Sequence, residues 1–550
     1  MTPADEPRRP GEGIDRLVTT ECSSRIGWTA FFLLVPALLG MGAYYYLQLS
    51  RTLLPHSDIA SMVLCAWDML HGNFFLHGWT LDVNRAWLTE APVYMAGLAV
   101  TRDLDPGLMH IVPVVIFLVV VVLAAAAATA GLEAGFARRT ALIIAILPLV
   151  LLARPMIPWV LMGPYHTGTA GIVLAAALVL HLRERPRSGR LSRAALAGTA
   201  FALLAAGELS DPYTTVLGAA PIAITSVWRA AGVRPLARRL ERLFPAAIAG
   251  CAWIAATIGL RIVTHFGGFT PLPFARPVIP FAKLGESLSN LTLAFLDLSG
   301  ANFFGRAPDI HFIAYAVRLA YLAGGIYAVW SVLRHPRFKE DWLGTVLAVA
   351  VALAIVGGAL GDDTTAYRYR VPPLIFAGAV LGRYVAITFK MWLEQRKALA
   401  AVLIVAVTFV FAWSPQAVLS RERLAGPEAK FGPRILGRWL EQHGLTSGYG
   451  EYWIAPITPV ETRGKVRVRP VETGEKVRGA LRVEPFHVNS NAAWYTGSNA
   501  TFLVLDPQGR SWDRRKAVRS TTAADTFGPP NHKYVVGPYK VLVWDKPLKF

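Results

Sequence analysis

Eleven apolar stretches, most of them close to twenty residues long, recur along this 550-residue chain. Crossing the hydrocarbon core of a bilayer takes a helix of about 20 apolar residues. The stretch from Leu108 to Ala130 holds no Asp, Glu, Lys or Arg at all. Inside lipid every backbone polar group must be satisfied within the protein, so such stretches are read as helices. The pattern predicts an all-α polytopic membrane protein of about eleven transmembrane helices. Composition agrees: 54% of residues are hydrophobic and only 17% charged, against about 25% charged in soluble domains. A soluble enzyme, a disordered chain and a fibrous chain are excluded.

The first span runs from about Ile26 to Leu49, behind a polar tail over residues 1–25. Its apolar core is too long for a signal peptide and shows no small-residue cleavage site. Further spans start near Leu108, Arg139, Thr167, Ala194, Pro212, Phe244, Ile310, Trp342, Pro373 and Ala398. Basic residues orient them. With the N-terminus in the cytoplasm, all five inside loops are basic. One carries Arg183, Arg185, Arg187, Arg190 and Arg193, and another carries Arg229, Arg234, Arg238, Arg239 and Arg242. That is the positive-inside pattern. The net charge of +19 is therefore topology rather than a nucleic-acid footprint. An odd span count leaves the C-terminal segment outside. Arg outnumbers Lys by 43 to 12, which points to a GC-rich bacterial genome and an inner, plasma-membrane location.

The outside face then holds the first loop, 51–107, a Pro/Gly-rich segment near 265–309, and a soluble domain over 419–550. Strand-like period-two alternation in GKVRVRPV, TFLVLD and YKVLVWD, after a helix from about Gly432 to His443, marks that domain as α/β or β-rich. Cys22, Cys65 and Cys251 are too scattered for a metal site or a disulfide framework. Phosphate-cradling Gly loops, G-x-S-x-G elbows and H-E-x-x-H motifs are absent.

Chemistry-bearing residues collect at outside ends of spans. Asp58 opens an amphipathic helix in the first loop, where it can act as an N-cap or carry chemistry. Glu90 and Tyr94 belong to a second amphipathic piece, EAPVY. Asp211, beside Glu208 in GELSDPYTT, either caps the next span or lines a site. His166, in GPYHTG, reads first as a hydrogen-bonded structural residue. Arg368 and Arg370 alternate with Tyr367 and Tyr369 before the tenth span. Positive-inside logic disfavours Arg there, so the two guanidiniums call for an anion: a phosphate, which they suit by bidentate geometry, or Asp362, Asp363 or Asp211.

Three of these features resemble the GT-C superfamily of membrane glycosyltransferases, such as the protein O-mannosyltransferases and bacterial aminoarabinose transferases. They are the long first outside loop with an acid at its start (Asp58), the acid-Ala-Pro-x-Tyr stretch Glu90 to Tyr94, and the Arg-Tyr-x-x-Pro entry Arg368-Tyr369-Arg370-Val371-Pro372-Pro373. The likeness covers roughly residues 26–418. It departs at Ala91, where a Pro often stands, and at Ile59, where a second acid often follows the first.

The resemblance implies a sugar moved from a polyprenyl-phosphate donor to an extracytoplasmic acceptor, a glycan, lipid or protein. It implies Asp58 as general base and Arg368 and Arg370 on the donor phosphate. Glu90, Tyr94, Asp211, Tyr369 and His166 would position donor or acceptor. A divalent cation is compatible with it, with Asp58 and Glu90 as potential ligands. The alternative readings are a transporter or flippase of a lipid-linked or anionic substrate, and a non-catalytic envelope scaffold.

Overall fold

The computed structural model describes residues 37, 39–184, 189–273, 278–306, 310–361, 367–413, 432–477, 480–507 and 516–550. After a helix over 39–51, the first loop forms α1 (Ser57–Leu70), β1 (Trp79–Leu81) and α2 (Ala91–Thr101). The helical bundle follows with α3 (Leu108–Thr129), α4 (Phe136–Val150), α5 (Ile157–Leu161), α6 (Thr167–Arg183), α7 (Arg190–Ser210), α8 (Ala220–Ala230) and α9 (Leu236–His265). A short strand, β2 (Thr270–Pro271), leads to α10 (Leu284–Ser299), α11 (Phe312–Arg334), α12 (Trp342–Leu360), α13 (Val371–Thr388) and α14 (Lys397–Trp413).

Each apolar stretch expected after the first falls on one of these helices. Among the described residues, five helices are long and apolar enough to cross a membrane: α3, α9, α11, α12 and the stretch Tyr367–Thr388 that contains α13. They become six if α4 and Arg154–Leu161, bent by 73°, form one broken span. Pro148 inside α4 lies just ahead of that break, where a ring without an N–H weakens the helical ladder. The helices α2, α6 and α14 are apolar but shorter, and α7 carries Arg190, Arg193 and Glu208. The chain is thus a multi-pass membrane protein, and the expected count of eleven is not reached by length and composition alone.

The apolar stretches of α12 and Tyr367–Thr388 are 67% and 72% buried in protein, against 28% for α9. They form the centre of the bundle, with α13 packed on α4, α11 and α12. Asp341 pairs with Arg383 inside this core. Arg383 Nε donates to Asp341 Oδ2 at 2.9 Å, and its Nη1 donates to the Ala127 and Ala130 carbonyls at 2.8 Å. A buried guanidinium needs such partners.

The C-terminal segment holds α15 (Gly432–Gln442), β3 (Ser447–Glu451), α16 (Ile457–Glu461), β4 (Arg467–Val477), β5 (Ala480–Pro485), β6 (Ser490–Asn491), β7 (Phe502–Leu505), α17 (Ser520–Phe527), β8 (His532–Val536) and β9 (Tyr539–Val543). Six strands make one mixed sheet in the order β5-β4-β3-β7-β9-β8. β3 runs parallel to β4 and β7, and the other pairs are antiparallel. The three segments expected as strands are β4, β7 and β9. Their alternation is real: Val466 and Val468 join one apolar face with Leu436 and Phe502, while Leu503 and Leu542 join the other.

A second, three-stranded sheet ties the outer pieces together. β1 pairs parallel with β2 and antiparallel with β6, so the first loop, the Pro/Gly-rich segment and the C-terminal segment share one ladder. α16 adds Ile457 and Val460 to the core under α1 and α2. Ten of the fourteen residues of α1 are buried. Protein surrounds this helix on nearly every side, so the expected single apolar face toward the membrane surface is not what is found.

Candidate functional site

The turn Gly163–Thr169 gathers the site. It joins α5 to α6, and three of the expected residues reach it from different elements. His166 sits in the left-handed backbone region at φ 64°, a conformation that costs a non-glycine residue about 1 kcal/mol or more and points to a constrained role. Its ring Nδ1 lies 2.6 Å from Asp211 Oδ2, and the Thr169 hydroxyl donates to the same oxygen at 2.6 Å. Asp211 Oδ1 accepts the Tyr213 N–H at 3.0 Å. Asp211 thus caps the turn that follows α7 and also anchors His166. Burial alone would raise its pKa. The His166 charge and the three hydrogen bonds overcome that and hold Asp211 below the ordinary carboxylate range. Because Nδ1 faces the carboxylate, Nε2 is the nitrogen left for a ligand.

Glu90 reaches the same turn from the other side. It stands at the N-cap of α2 without capping it. Its Oε1 instead accepts the Gly168 N–H at 3.1 Å, in the first turn of α6, where the helix dipole favours a carboxylate or its hydrogen bond. A Cβ at Gly168 would fall 2.7 Å from Glu90 Cγ, so only glycine admits this contact. Burial pushes the Glu90 pKa up to about 8; the Gly168 bond opposes the shift and the Asp211 charge adds to it. Glu90 and Tyr94 line a void of about 10 Å³, separate from the main cavity.

The main cavity measures about 310 Å³. Its lining includes the polar His166, Asp211, Tyr213, Tyr369 and Arg370 and the apolar Val216, Val278, Ala354 and Leu360. The His166 and Tyr369 rings lie 4.5 Å apart, and Tyr213 crosses both within 5.5 Å. The Tyr213 hydroxyl donates to the Tyr369 carbonyl at 2.8 Å, tying the Tyr367–Arg370 turn to the segment that follows α7. Arg370 is buried, and its Nη2 donates to the Gly358 carbonyl at 3.3 Å. A Cβ at Gly358 would stand 2.6 Å from Arg370 Nη1, so this glycine makes room for the guanidinium. Arg368 lies outside the cavity lining, with its guanidinium 5.3 Å from the Tyr369 ring. Asp362 and Asp363, its expected carboxylate partners, lie outside the described residues.

Asp58 stands to the side. His56, not Asp58, is the N-cap of α1, and its Nδ1 accepts the Asp58 N–H at 3.2 Å. The Asp58 carboxylate is free of capping because Tyr452 claims it: the Tyr452 hydroxyl donates to Oδ1 at 2.6 Å. Burial lowers the His56 pKa, with the Asp58 charge opposing, so the ring is neutral and its Nε2–H points to Tyr165 Oη, 2.7 Å away. Tyr165 feels the charges of both Asp58 and Arg368.

The sequence reading missed Tyr452, Tyr165, Tyr213 and His56. His56 and Tyr165 flank expected residues in HSD and GPYHTG, but Tyr452 lies 394 residues from Asp58 and has no local signal. Among the described residues, no group of three or more His, Cys, Asp or Glu side chains is arranged to hold a metal ion.

No family model matches the sequence, and no curated protein matches it. Solved structures do match. ArnT from Cupriavidus metallidurans, in its crystal structure bound to undecaprenyl phosphate, aligns with a TM-score of 0.53 at 14% identity, over 94% of this chain and 98% of that one. The Archaeoglobus fulgidus oligosaccharyltransferase complex with Zn and sulfate aligns at a TM-score of 0.46 and 12% identity, over 85% of this chain and 67% of that one. The chain has the ArnT fold along its length, and the resemblance drawn from the motifs is met at the level of the fold.

Proposed function

We propose that this protein is an integral-membrane glycosyltransferase that moves a sugar from a polyprenyl-phosphate donor to an extracytoplasmic acceptor. The observation that carries the reading is the mixed lining of the cavity. Its apolar residues, Val216, Val278, Ala354 and Leu360, suit an isoprenoid chain, and its buried Arg370 and His166 suit a phosphate. ArnT, whose fold this chain shares, was crystallised with undecaprenyl phosphate.

In this reading Arg370, with Arg368 at the rim, holds the donor phosphate and offsets the charge that develops as it leaves. Asp211 fixes the His166 ring, and Tyr213 and Tyr369 hold the turn that carries Arg370. Asp58 accepts the proton of the acceptor hydroxyl. The acceptor oxygen bonds to the anomeric carbon as the bond from that carbon to the phosphate oxygen breaks. A single displacement inverts the centre. Tyr452 steadies Asp58, and Glu90 and Tyr94 brace the turn from behind. The bundle of eleven spans sits in a bacterial plasma membrane, with residues 1–25 in the cytoplasm and 419–550 outside.

The test is transfer of label from a panel of polyprenyl-phosphate sugars, in membranes carrying wild type or Asp58→Asn. Label entering glycan or glycolipid with wild type alone is the expected result. Equal transfer by both removes Asp58 from the chemistry. No transfer from any donor, with expression and acceptor material confirmed, refutes the transferase.

A further inference from the structure

A second and larger cleft, of about 510 Å³, lies between the first loop and the C-terminal segment. It shares no lining residue with the cavity described above. Trp67 and Asp68 enter it from the end of α1, Arg102 and Asp103 from the end of α2, and Arg463, Arg467, Arg469 and Trp494 from the facing segment. Its basic wall follows from strand geometry. Val466 and Val468 point into the core, so Arg467 and Arg469 must project from the other face of β4.

Charge in this cleft is unbalanced. Arg463 Nη1 donates to Asp103 Oδ2 at 2.6 Å. Asp68 Oδ2 accepts the Trp79 indole N–H at 2.8 Å and the Asn73 amide at 3.4 Å. Among the described residues no carboxylate pairs with Arg102, Arg467 or Arg469. Arg469 is held against the Trp494 ring at 4.2 Å. Burial, with the neighbouring Arg467 charge, pushes its pKa down to about 10, while the Tyr495 and Asp68 charges act the other way. Two like charges on one strand face repel unless an anion joins them. Arg102 and Arg463 sit in the left-handed backbone region, at φ 59° and 51°, where they end α2 and follow α16. Arg102, Arg467 and Arg469, none of them within ion-pair distance of a carboxylate, stand beside Trp67 and Trp494 and match a saccharide that carries acid groups, with the acid on the guanidiniums.

We propose that this cleft binds an anionic saccharide, the acidic stretch of the acceptor glycan. This rests on the transferase reading and names its acceptor class. Asp58 and Trp67 both belong to α1, nine residues apart in sequence, which is about 14 Å along the helix and half a turn around it, so an acceptor gripped in the cleft has to run around the helix to bring a hydroxyl to Asp58.

The experiment uses the full chain in phosphatidylcholine nanodiscs. The probes are fluorescein-labelled tetragalacturonate and, as the neutral counterpart, labelled maltotetraose, read by fluorescence polarisation. Saturable binding of the acidic probe alone is expected, weakening with salt. Arg467→Gln, at an exposed strand position, combined with Arg102→Gln should raise Kd at least tenfold. Arg469→Lys, which keeps the charge but not the planar stack, should raise it less. Equal binding of both probes, or undiminished binding by the double variant, overturns the proposal. So does competition by phosphatidylglycerol vesicles without competition by unlabelled tetragalacturonate, which assigns the cleft to a lipid headgroup. Polyprenyl phosphate binding is measured on the same nanodiscs. If it persists while the acidic probe fails, the cleft proposal falls alone. If the acidic probe binds and polyprenyl phosphate does not, the transferase reading falls and the saccharide site stands.

Discussion

Replacing Glu90 by Gln should stabilise the protein at neutral pH. Glu90 titrates near 8 in the fold and at 4.5 when free of it. At pH 7 the folded carboxyl is about tenfold more protonated than ionised, while the unfolded one is ionised. The sign follows from proton counts. Between pH 4.5 and 8 the folded state holds one proton more than the unfolded state, so stability falls as pH rises through that window. Each pH unit costs about 1.4 kcal/mol, and the interval from 4.5 to 7 totals about 3 kcal/mol. Gln keeps an acceptor for the Gly168 N–H and has no proton to lose, so it escapes this cost. The assay is thermal unfolding of wild type and Glu90→Gln in nanodiscs from pH 4.5 to 8. The variant should melt a few degrees higher at pH 7, with the gap closing toward pH 4.5. Glu90→Ala also escapes the titration. It strands the Gly168 N–H and opens a void, so it should lie about 2–4 kcal/mol below Gln. A Gln variant no more stable than wild type at pH 7, with a pH-independent difference, would show that Glu90 is ionised in the fold and refute the reasoning.

Asp211→Asn should destabilise by about 3–5 kcal/mol, because it leaves His166 and Thr169 facing an amide in a buried site; a thermal melt measures it. Gly358→Ala should displace Arg370, whose Nη1 would lie 2.6 Å from the new Cβ, and weaken donor binding about tenfold, a change of about 1.4 kcal/mol. A donor titration checks it, with the melting temperature holding within a few degrees. Tyr452→Phe removes the hydroxyl that donates to Asp58, a bond to a charged group of about 1.5–3 kcal/mol. It should lower kcat by tenfold or more while the KM for the donor stays put, as steady-state transfer kinetics will show.

Apolar length was legible in the sequence because membrane helices need nothing but local composition. Every expected stretch after the first lies on a helix, and the alternation in GKVRVRPV yields β4 with its Val residues inside. What crosses large sequence distances was not legible. β1, β2 and β6 come from three segments read as separate; each is only two or three residues long, too short for a periodic signal. Asp58 has the local look of an N-cap, yet His56 caps α1 and a tyrosine almost four hundred residues away claims the carboxylate. His166 reads as a lone structural histidine, since its partner Asp211 lies on another helix end. The Arg-Tyr alternation raised the expectation of an anion site, and the structure separates its members: Arg370 lines the cavity and Arg368 stays at the side. The number of spans stays partly illegible for a physical reason. Helices buried among other helices tolerate the breaks, short lengths and charges that lipid would not.

The central claim is that the cavity at Arg370 receives a polyprenyl phosphate. The direct measurement is polyprenyl phosphate affinity in nanodiscs for wild type, Arg370→Gln and Arg318→Gln, the last replacing a guanidinium that donates to three carbonyls and lies over the Phe411 ring elsewhere in the bundle. The account predicts tight binding by wild type and Arg318→Gln, and at least tenfold weaker binding by Arg370→Gln. Binding that ignores Arg370, or no binding by wild type, would contradict it.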